Sequence, residues 1–342
     1  MNIPHDITLP GLGLACCLLS GAVSAEESLP NDDRCLLDAI HRASESTTVG
    51  ELRAGCVRQV ESLQRSESNP GLPDNQEKVG ASLISRRKEA ELAIRDNPFV
   101  LTPHKANYVL LATYNDSPNR EPFHDVGDPN FDHVEMKFQL SFKFPVIENL
   151  LDSNMDLYFA YTNLSFWQAY NSDISAPFRE TNHEPEAFVI FENDWEILGW
   201  RNSLVQIGLN HQSNGRAEPL SRSWNRIYAQ LVFERDKFFL GLKPWYRLPE
   251  DADNDDNPDI DDYLGYGEIW LGYKGGPNIY SMMLRSNLLT GGKDALQLDW
   301  SFPLYGRFRG YLQYFKGYGE SLIDYDAETH RLGFGLEFTE ML

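Results

Sequence analysis

The chain has 342 residues and is strongly acidic, with 51 Asp and Glu against 30 Lys and Arg and a net charge of -21. Nucleic-acid phosphates are bound by clustered Lys and Arg, so this balance argues against a nucleic-acid partner and suits a secreted surface protein whose acidic loops meet divalent ions. Beyond residue 25 the sequence has no apolar run long enough to cross a bilayer as a helix, which excludes a helical membrane protein. A β-barrel stays open, because its strands show lipid only every second residue.

Ile7 to Ala25 is uncharged, rich in Leu, Ala and Gly, and ends in Ala22-Val23-Ser24-Ala25 before Glu26, the small-residue pattern of a cleaved secretory signal. Residues 1–25 are therefore expected to be a signal peptide, although the segment ahead of the apolar run carries Asp6 in place of a Lys or Arg. The apolar part, Leu9 to Val23, is short for a membrane anchor, and Gly13-Leu14-Ala15 ahead of Cys16 is a poor lipidation signal. Residues 26–96 form an N-terminal extension of different composition. Asp33 to Leu63 has helical spacing, with Leu36, Leu37 and Ile40 in one half, Leu52, Val57 and Val60 in the other, and a polar break at Ser44 to Gly50. Cys35 and Cys56 are the only cysteines outside the leader. In an oxidising compartment a Cys35–Cys56 disulfide is expected to clip a small helical hairpin, the alternative being two unrelated thiols. Ser66 to Lys78, with Pro70, Gly71 and Pro73, has the composition of a flexible linker.

From Ala106 onward the pattern has period two. Val134, Met136, Phe138, Leu140, Phe142 and Phe144 interleave with Glu135, Lys137, Gln139, Ser141 and Lys143. Leu296 to Phe302 and Leu332 to Phe338 alternate in the same way. With the runs near Tyr108, Tyr161, Phe188, Ile207, Leu231, Leu240, Trp270, Met283 and Tyr314, about twelve strands are counted, an even number as a closed antiparallel barrel prefers. Tyr and Trp gather toward strand ends, as interfacial girdles do. A soluble β-sandwich alternates too, but the signal peptide and the charged second face, with Glu135, Lys137, Gln139, Lys143, Arg226 and Gln230, favour a barrel with a polar lumen.

One ribbon carries chemistry. In its first arm Val205, Ile207, Leu209, His211 and Ser213 share a face, opposite Leu204, Gln206, Gly208, Asn210 and Gln212. In its second arm Asn225 shares parity with Ile227, Ala229, Leu231 and Phe233, opposite Trp224, Arg226, Tyr228 and Gln230. Paired as a hairpin about the Gly215 to Arg222 loop, His211, Ser213 and Asn225 meet on one apolar surface. Singly, each is an ordinary polar residue near a sheet edge. Together they suit a nucleophile, its base and the group that orients the base. A neutral amide stabilises an imidazolium less than a carboxylate does, so such a site needs help with the oxyanion. Gly215, two residues after Ser213, presents an unhindered backbone N–H for it. Arg216 and Ser221 lie in the same loop with oxygens suited to a hard cation such as calcium, although the spacing alone favours a solvated turn.

The Asp251 to Asp262 loop lacks the central Gly of an EF-hand and contains Pro258, so it is expected to be a solvated extracellular loop. His183 and His330 have no partner at metal-ligand spacing and are expected to be ordinary rim residues.

The runs His211-Gln212-Ser213-Asn214-Gly215-Arg216 and Ser221-Arg222-Ser223-Trp224-Asn225-Arg226-Ile227-Tyr228 resemble the signature of the outer-membrane phospholipase A family. The resemblance extends over residues 97–342. It takes in Asn97-Pro98-Phe99, Phe138-Gln139-Leu140-Ser141, Pro177-Phe178-Arg179-Glu180-Thr181-Asn182, Lys243-Pro244-Trp245-Tyr246, Asp256-Asn257-Pro258-Asp259-Ile260 and Gly317 to Tyr325. It implies an all-β, 12-stranded antiparallel transmembrane barrel in the bacterial outer membrane. The implied activity is a calcium-dependent phospholipase A1 and A2 cutting sn-1 and sn-2 acyl esters of phospholipids and lysophospholipids, activated as a homodimer. By motif position Ser213 is then nucleophile, His211 base, Asn225 orienting residue and Gly215 oxyanion donor. Calcium falls to the Arg216 carbonyl, the Ser221 hydroxyl and the Ser175 carbonyl of a second subunit. Asn163 stands where the family has an interfacial glutamine. A porin-like barrel predicts no hydrolysis, and a soluble esterase predicts hydrolysis without a lipid interface.

Overall fold

A computed structural model of the protein describes residues 84, 87, 89–91, 101–127, 129–152, 155–191, 193–253, 255–287, 293–306 and 308–339. The signal peptide, the Asp33 to Leu63 helices, the Cys35–Cys56 pairing and the Ser66 to Lys78 linker lie outside the described residues. The compact unit that holds the described residues runs from Val79 to Leu342.

Twelve long strands make the wall: β1 (Asn107–Asn115), β2 (Val134–Ile147), β3 (Met155–Trp167), β4 (Phe178–Phe191), β5 (Trp200–Ser213), β6 (Ser223–Arg235), β7 (Phe238–Leu248), β8 (Gly267–Gly275), β9 (Asn278–Ser286), β10 (Asp294–Tyr305), β11 (Phe308–Tyr318) and β12 (Glu328–Thr339). Each pairs antiparallel with its neighbours in sequence, and β12 pairs with β1, which closes the barrel. Two-residue strands at Thr102–Pro103 and Glu196–Ile197 add to β2 and β5. All twelve strands expected from the alternation are found.

Closure leaves each strand one face for lipid and one for the lumen, and the side chains sort accordingly. Leu140, Phe144, Leu298, Trp300, Leu332, Phe334 and Phe338 are exposed outward, while Glu135, Lys137, Lys143, Asp299, Arg331 and Glu337 are buried inside. Charges without water need partners. Arg179 meets Glu135 at 3.1 Å and Asp324 at 2.7 Å. Arg331 meets Glu135 at 2.9 Å and Glu320 at 2.8 Å, and Lys137 reaches Glu320 at 2.9 Å.

Two-residue turns at Asp236-Lys237 and Gly276-Pro277 mark one rim, and the segments 116–133, 168–177, 214–222, 249–266 and 319–327 mark the other. This asymmetry is usual for outer-membrane barrels, whose long loops face outward from the cell. The 319–327 segment folds into the long-looped end, burying Leu322, Ile323 and Tyr325, with the Leu322 N–H donating to Asn182 and that of Ile323 to Glu180. At the short-turn end the Ile84 N–H donates to Glu234, Arg87 donates to the Pro103 carbonyl, and Glu91 pairs with Lys143 at 3.0 Å. Gly208 lets β4 and β5 approach, because a β-carbon there would meet Phe188 Cβ at 2.6 Å.

Replacing Arg331 by Met strands Glu135 and Glu320 in the lumen without one of their cations. The expected cost is about 3–5 kcal/mol, as for removing one partner of a buried pair, read from unfolding in denaturant with the protein reconstituted in lipid vesicles.

Candidate active site

The pairing of β5 with β6 decides what meets at the site. His211 stands opposite Asn225, and Ser213 opposite Ser223. On the other side of β5, Ser213 stands opposite His183 of β4, which is itself opposite Asn163 of β3. Ile207, Leu209 and Ile227 are 49%, 55% and 42% exposed on the outer face. Since side chains alternate along a strand, His211, Ser213 and Asn225 also look outward, whereas Asn210, Trp224, Arg226 and Tyr228 are buried on the lumen side.

His211 Nδ1 lies 2.8 Å from Asn225 Oδ1. An amide oxygen only accepts, so the proton of a neutral His211 is on Nδ1 and Nε2 keeps a lone pair. The Ser213 hydroxyl is hydrogen-bonded to none of the described residues. It sits on the same face as the imidazole, two positions along the strand.

The following loop is stitched by buried Asn214, whose Oδ1 accepts from the N–H groups of Arg216 (3.2 Å) and Arg222 (3.0 Å) while its Nδ2 donates to the Leu220 carbonyl (2.8 Å). Gly215 then turns with φ +64°, and a β-carbon added there would lie 3.7 Å from the His183 ring. The Arg216 guanidinium turns away, donating to the Arg179 carbonyl at 2.6 Å and meeting Glu180 at 3.3 Å.

The Asp251 to Asp262 loop is not the free solvated loop expected from its sequence. Asp256 accepts from the Ser221 hydroxyl at 2.7 Å and the Ser223 hydroxyl at 3.4 Å, and Asn257, wholly buried, accepts from the Ser223 N–H at 3.0 Å. Arg247 anchors the loop through both Asp255 oxygens. Ile260 and Leu264 of a short helix, α1 (Ile260–Leu264), pack beneath it. A hydrogen bond with Asp256 raises the pKa of Glu218. Ser221, Asp256 and the Arg216 carbonyl thus offer hard oxygens on one loop system, a donor chemistry suited to calcium. Ser175, exposed with φ +62° between β3 and β4 on the same rim, makes no hydrogen bond with Arg216 or Ser221. Asn163 accepts from the Ser165 hydroxyl at 3.0 Å.

Three residues at the site were given no part in it from the sequence, His183 among them, which was expected to be an ordinary rim residue and instead stands opposite Ser213. Besides Asp256, His183 adjoins Ser213 and its Nδ1 is bonded to the Tyr161 hydroxyl at 2.6 Å. Glu250 accepts from Asn225 Nδ2 at 3.1 Å. Its signal is parity: it continues the outward row of Tyr246 and Leu248, and Leu248 stands directly opposite Asn225.

The profile of the phospholipase A1 family matches residues 84–338. The chain belongs to the phospholipase A1 family. It is 42% identical over 248 residues to phospholipase A1 of Escherichia coli strain K12, covering 72% of this chain and 84% of that one. Its fold is similar to that of the Salmonella typhi outer membrane phospholipase dimer with bound calcium, with a TM-score of 0.70 and 39% identity over 74% of this chain and 97% of that one. It is also similar to an active-site mutant of Escherichia coli outer membrane phospholipase A in which an asparagine is replaced by alanine, with a TM-score of 0.68 and 40% identity over 72% of this chain and 95% of that one. This phospholipase is accordingly a β-barrel of the bacterial outer membrane. Its His211–Asn225 pair lies on the outward face of that barrel, beside exposed Ile207, Leu209 and Ile227.

Gly215→Ala puts a β-carbon at a left-handed backbone position, a strain of about 1–2 kcal/mol, and against the His183 ring. Hydrolysis of phospholipid in mixed micelles is expected to fall while the circular dichroism of the barrel is unchanged.

Proposed function

We propose that this phospholipase cuts the sn-1 and sn-2 acyl esters of glycerophospholipids and lysophospholipids through an acyl-enzyme on Ser213, and that it does so as a calcium-loaded homodimer. The observation that carries the proposal is the 2.8 Å His211–Asn225 bond on a face otherwise made of exposed Ile207, Leu209 and Ile227.

Ser213 Oγ attacks the ester carbonyl as His211 Nε2 takes its proton, and Asn225 Oδ1 holds the Nδ1–H of the resulting imidazolium. The Gly215 N–H meets the tetrahedral oxyanion. Collapse expels the glycerol oxygen, which takes the proton from His211, leaving lysophospholipid and an acyl-Ser213. Water then gives its proton to His211 and its oxygen to the acyl carbon, and the proton returns to Ser213 as the fatty acid leaves.

Calcium would be held by the Arg216 carbonyl, the Ser221 hydroxyl and Ser175 of the partner subunit. The Asp256 carboxylate at 2.7 Å from Ser221 adds the anionic oxygen such a cation favours. When bound, calcium supplies positive charge toward the developing oxyanion, offsetting a neutral third member. Asn163, in lateral register with His183 and Ser213, would lie at the subunit contact. The described dimer with bound calcium among the similar structures supports this reading, as does the active-site asparagine of the other.

On mixed phospholipid micelles, Ser213→Ala and His211→Ala are each expected to lower kcat by at least ~10³-fold with the barrel intact, and Asn225→Ala by less. Native turnover in Ser213→Ala rejects the nucleophile. Excess chelator is expected to stop hydrolysis and to abolish the crosslinked dimer; an unchanged rate in chelator removes calcium from the proposal.

A further inference from the structure

We infer that Glu250 is a positioning residue of the hydrolytic site: it fixes which way the Asn225 amide faces and thereby which nitrogen of His211 carries the proton. This rests on the role given to His211 above.

An asparagine in the third position of a triad has a built-in ambiguity. Facing the imidazole with its oxygen, it selects the tautomer protonated on Nδ1, and Nε2 is free to act as base. Turned over, it presents N–H groups to Nδ1 and selects the opposite tautomer, in which Nε2 is protonated and cannot accept from a serine. In serine proteases, placing Asn where the triad has Asp costs about 10⁴ in kcat for this reason. A working asparagine therefore needs something to choose its orientation.

Glu250 makes the choice. Its ionised carboxylate has no donor, so the Asn225 atom 3.1 Å from Glu250 Oε1 must be Nδ2. The oxygen is then committed to His211 Nδ1 at 2.8 Å. The register explains the contact: Leu248 pairs with Asn225, and Glu250 lies two positions further on the same face, a diagonal a long side chain can span. The carboxylate also polarises the amide toward the imidazolium. The other titratable side chains on this face among the described residues include Tyr246, two positions before Leu248 in the same row, and His183, held by the Tyr161 hydroxyl. Arg226 and Arg247 belong to the lumen side, with Asn210 and Asp255 as partners.

The test uses the full-length protein in detergent micelles with 15N-labelled histidine, the His211 signals being assigned by their loss in His211→Ala. Native protein is expected to show a protonated Nδ1 and an unprotonated Nε2. Glu250→Ala and the isosteric Glu250→Gln are both expected to populate the Nε2–H tautomer. They should lower kcat about tenfold or more at unchanged KM, within the range over which a general base matters. In the Glu250→Ala background, Asn225→Asp is expected to recover kcat, since a carboxylate has no donor to misdirect. If both Glu250 variants keep the native tautomer and native kcat while His211→Ala is inactive, the role of Glu250 is overturned and the base assignment stands. If His211→Ala is itself active, the assignment beneath it falls.

Discussion

The site depends on one constraint, the register between β5 and β6. Strand side chains alternate, so a slip of one residue would carry His211, Ser213 and Asn225 from the outer face into the lumen and bring Asn210, Trp224 and Arg226 out to lipid. Both halves of that exchange are expensive. Arg226 would lose Asn210 at 2.6 Å and be left charged in hydrocarbon, while Ile207, Leu209 and Ile227 would leave the lipid they cover. The same alternation that sorts polar from apolar residues around the wall therefore aims His211, Ser213 and Asn225 outward, to the face that meets the membrane.

The lumen supports the site as well as filling the barrel. Arg179 binds Glu135 and Asp324 inside the wall with its side chain, and its carbonyl accepts from Arg216, in the loop that follows Ser213. Glu180, next along β4, meets Arg216 on one side and the Ile323 N–H on the other. The inward fold of 319–327 is thereby tied to the loop that carries Gly215. A buried network of this kind has few alternative arrangements, because each charge left unpaired costs several kcal/mol. It holds the rim loops in a defined position where solvation alone would leave them many.

The strands and the parity of the reactive residues were legible in the sequence because both are local. The twelve alternating runs, and the shared face of His211, Ser213 and Asn225, follow from counting by two within a hairpin. What was not legible depends on pairings across longer separations. His183 lies beside Ser213 only through the β4–β5 register, which no turn of fixed length sets. Glu250 reaches Asn225 only through the β6–β7 register continued past the last paired residue of β7. Asp256 and Asn257 sit in a loop whose composition reads as solvated. They dock because Ser221, Ser223 and Arg247 each offer a donor that composition does not reveal.

The placement of charge follows from the solvent the site faces. A carboxylate at position 225, beside exposed Ile227 on a lipid-facing strand, would pay for desolvation against hydrocarbon. An amide there avoids that cost and stabilises an imidazolium less. Glu250 lies beyond the end of β7, in the segment that rises into the long-looped rim, where water reaches a carboxylate. The negative charge stands two positions further along the row, and in the role inferred for Glu250 the amide between it and His211 transmits both orientation and polarity. The proposed Ser213–His211–Asn225 triad is in this way the lipid-facing part of a longer row whose charged end remains in the aqueous layer.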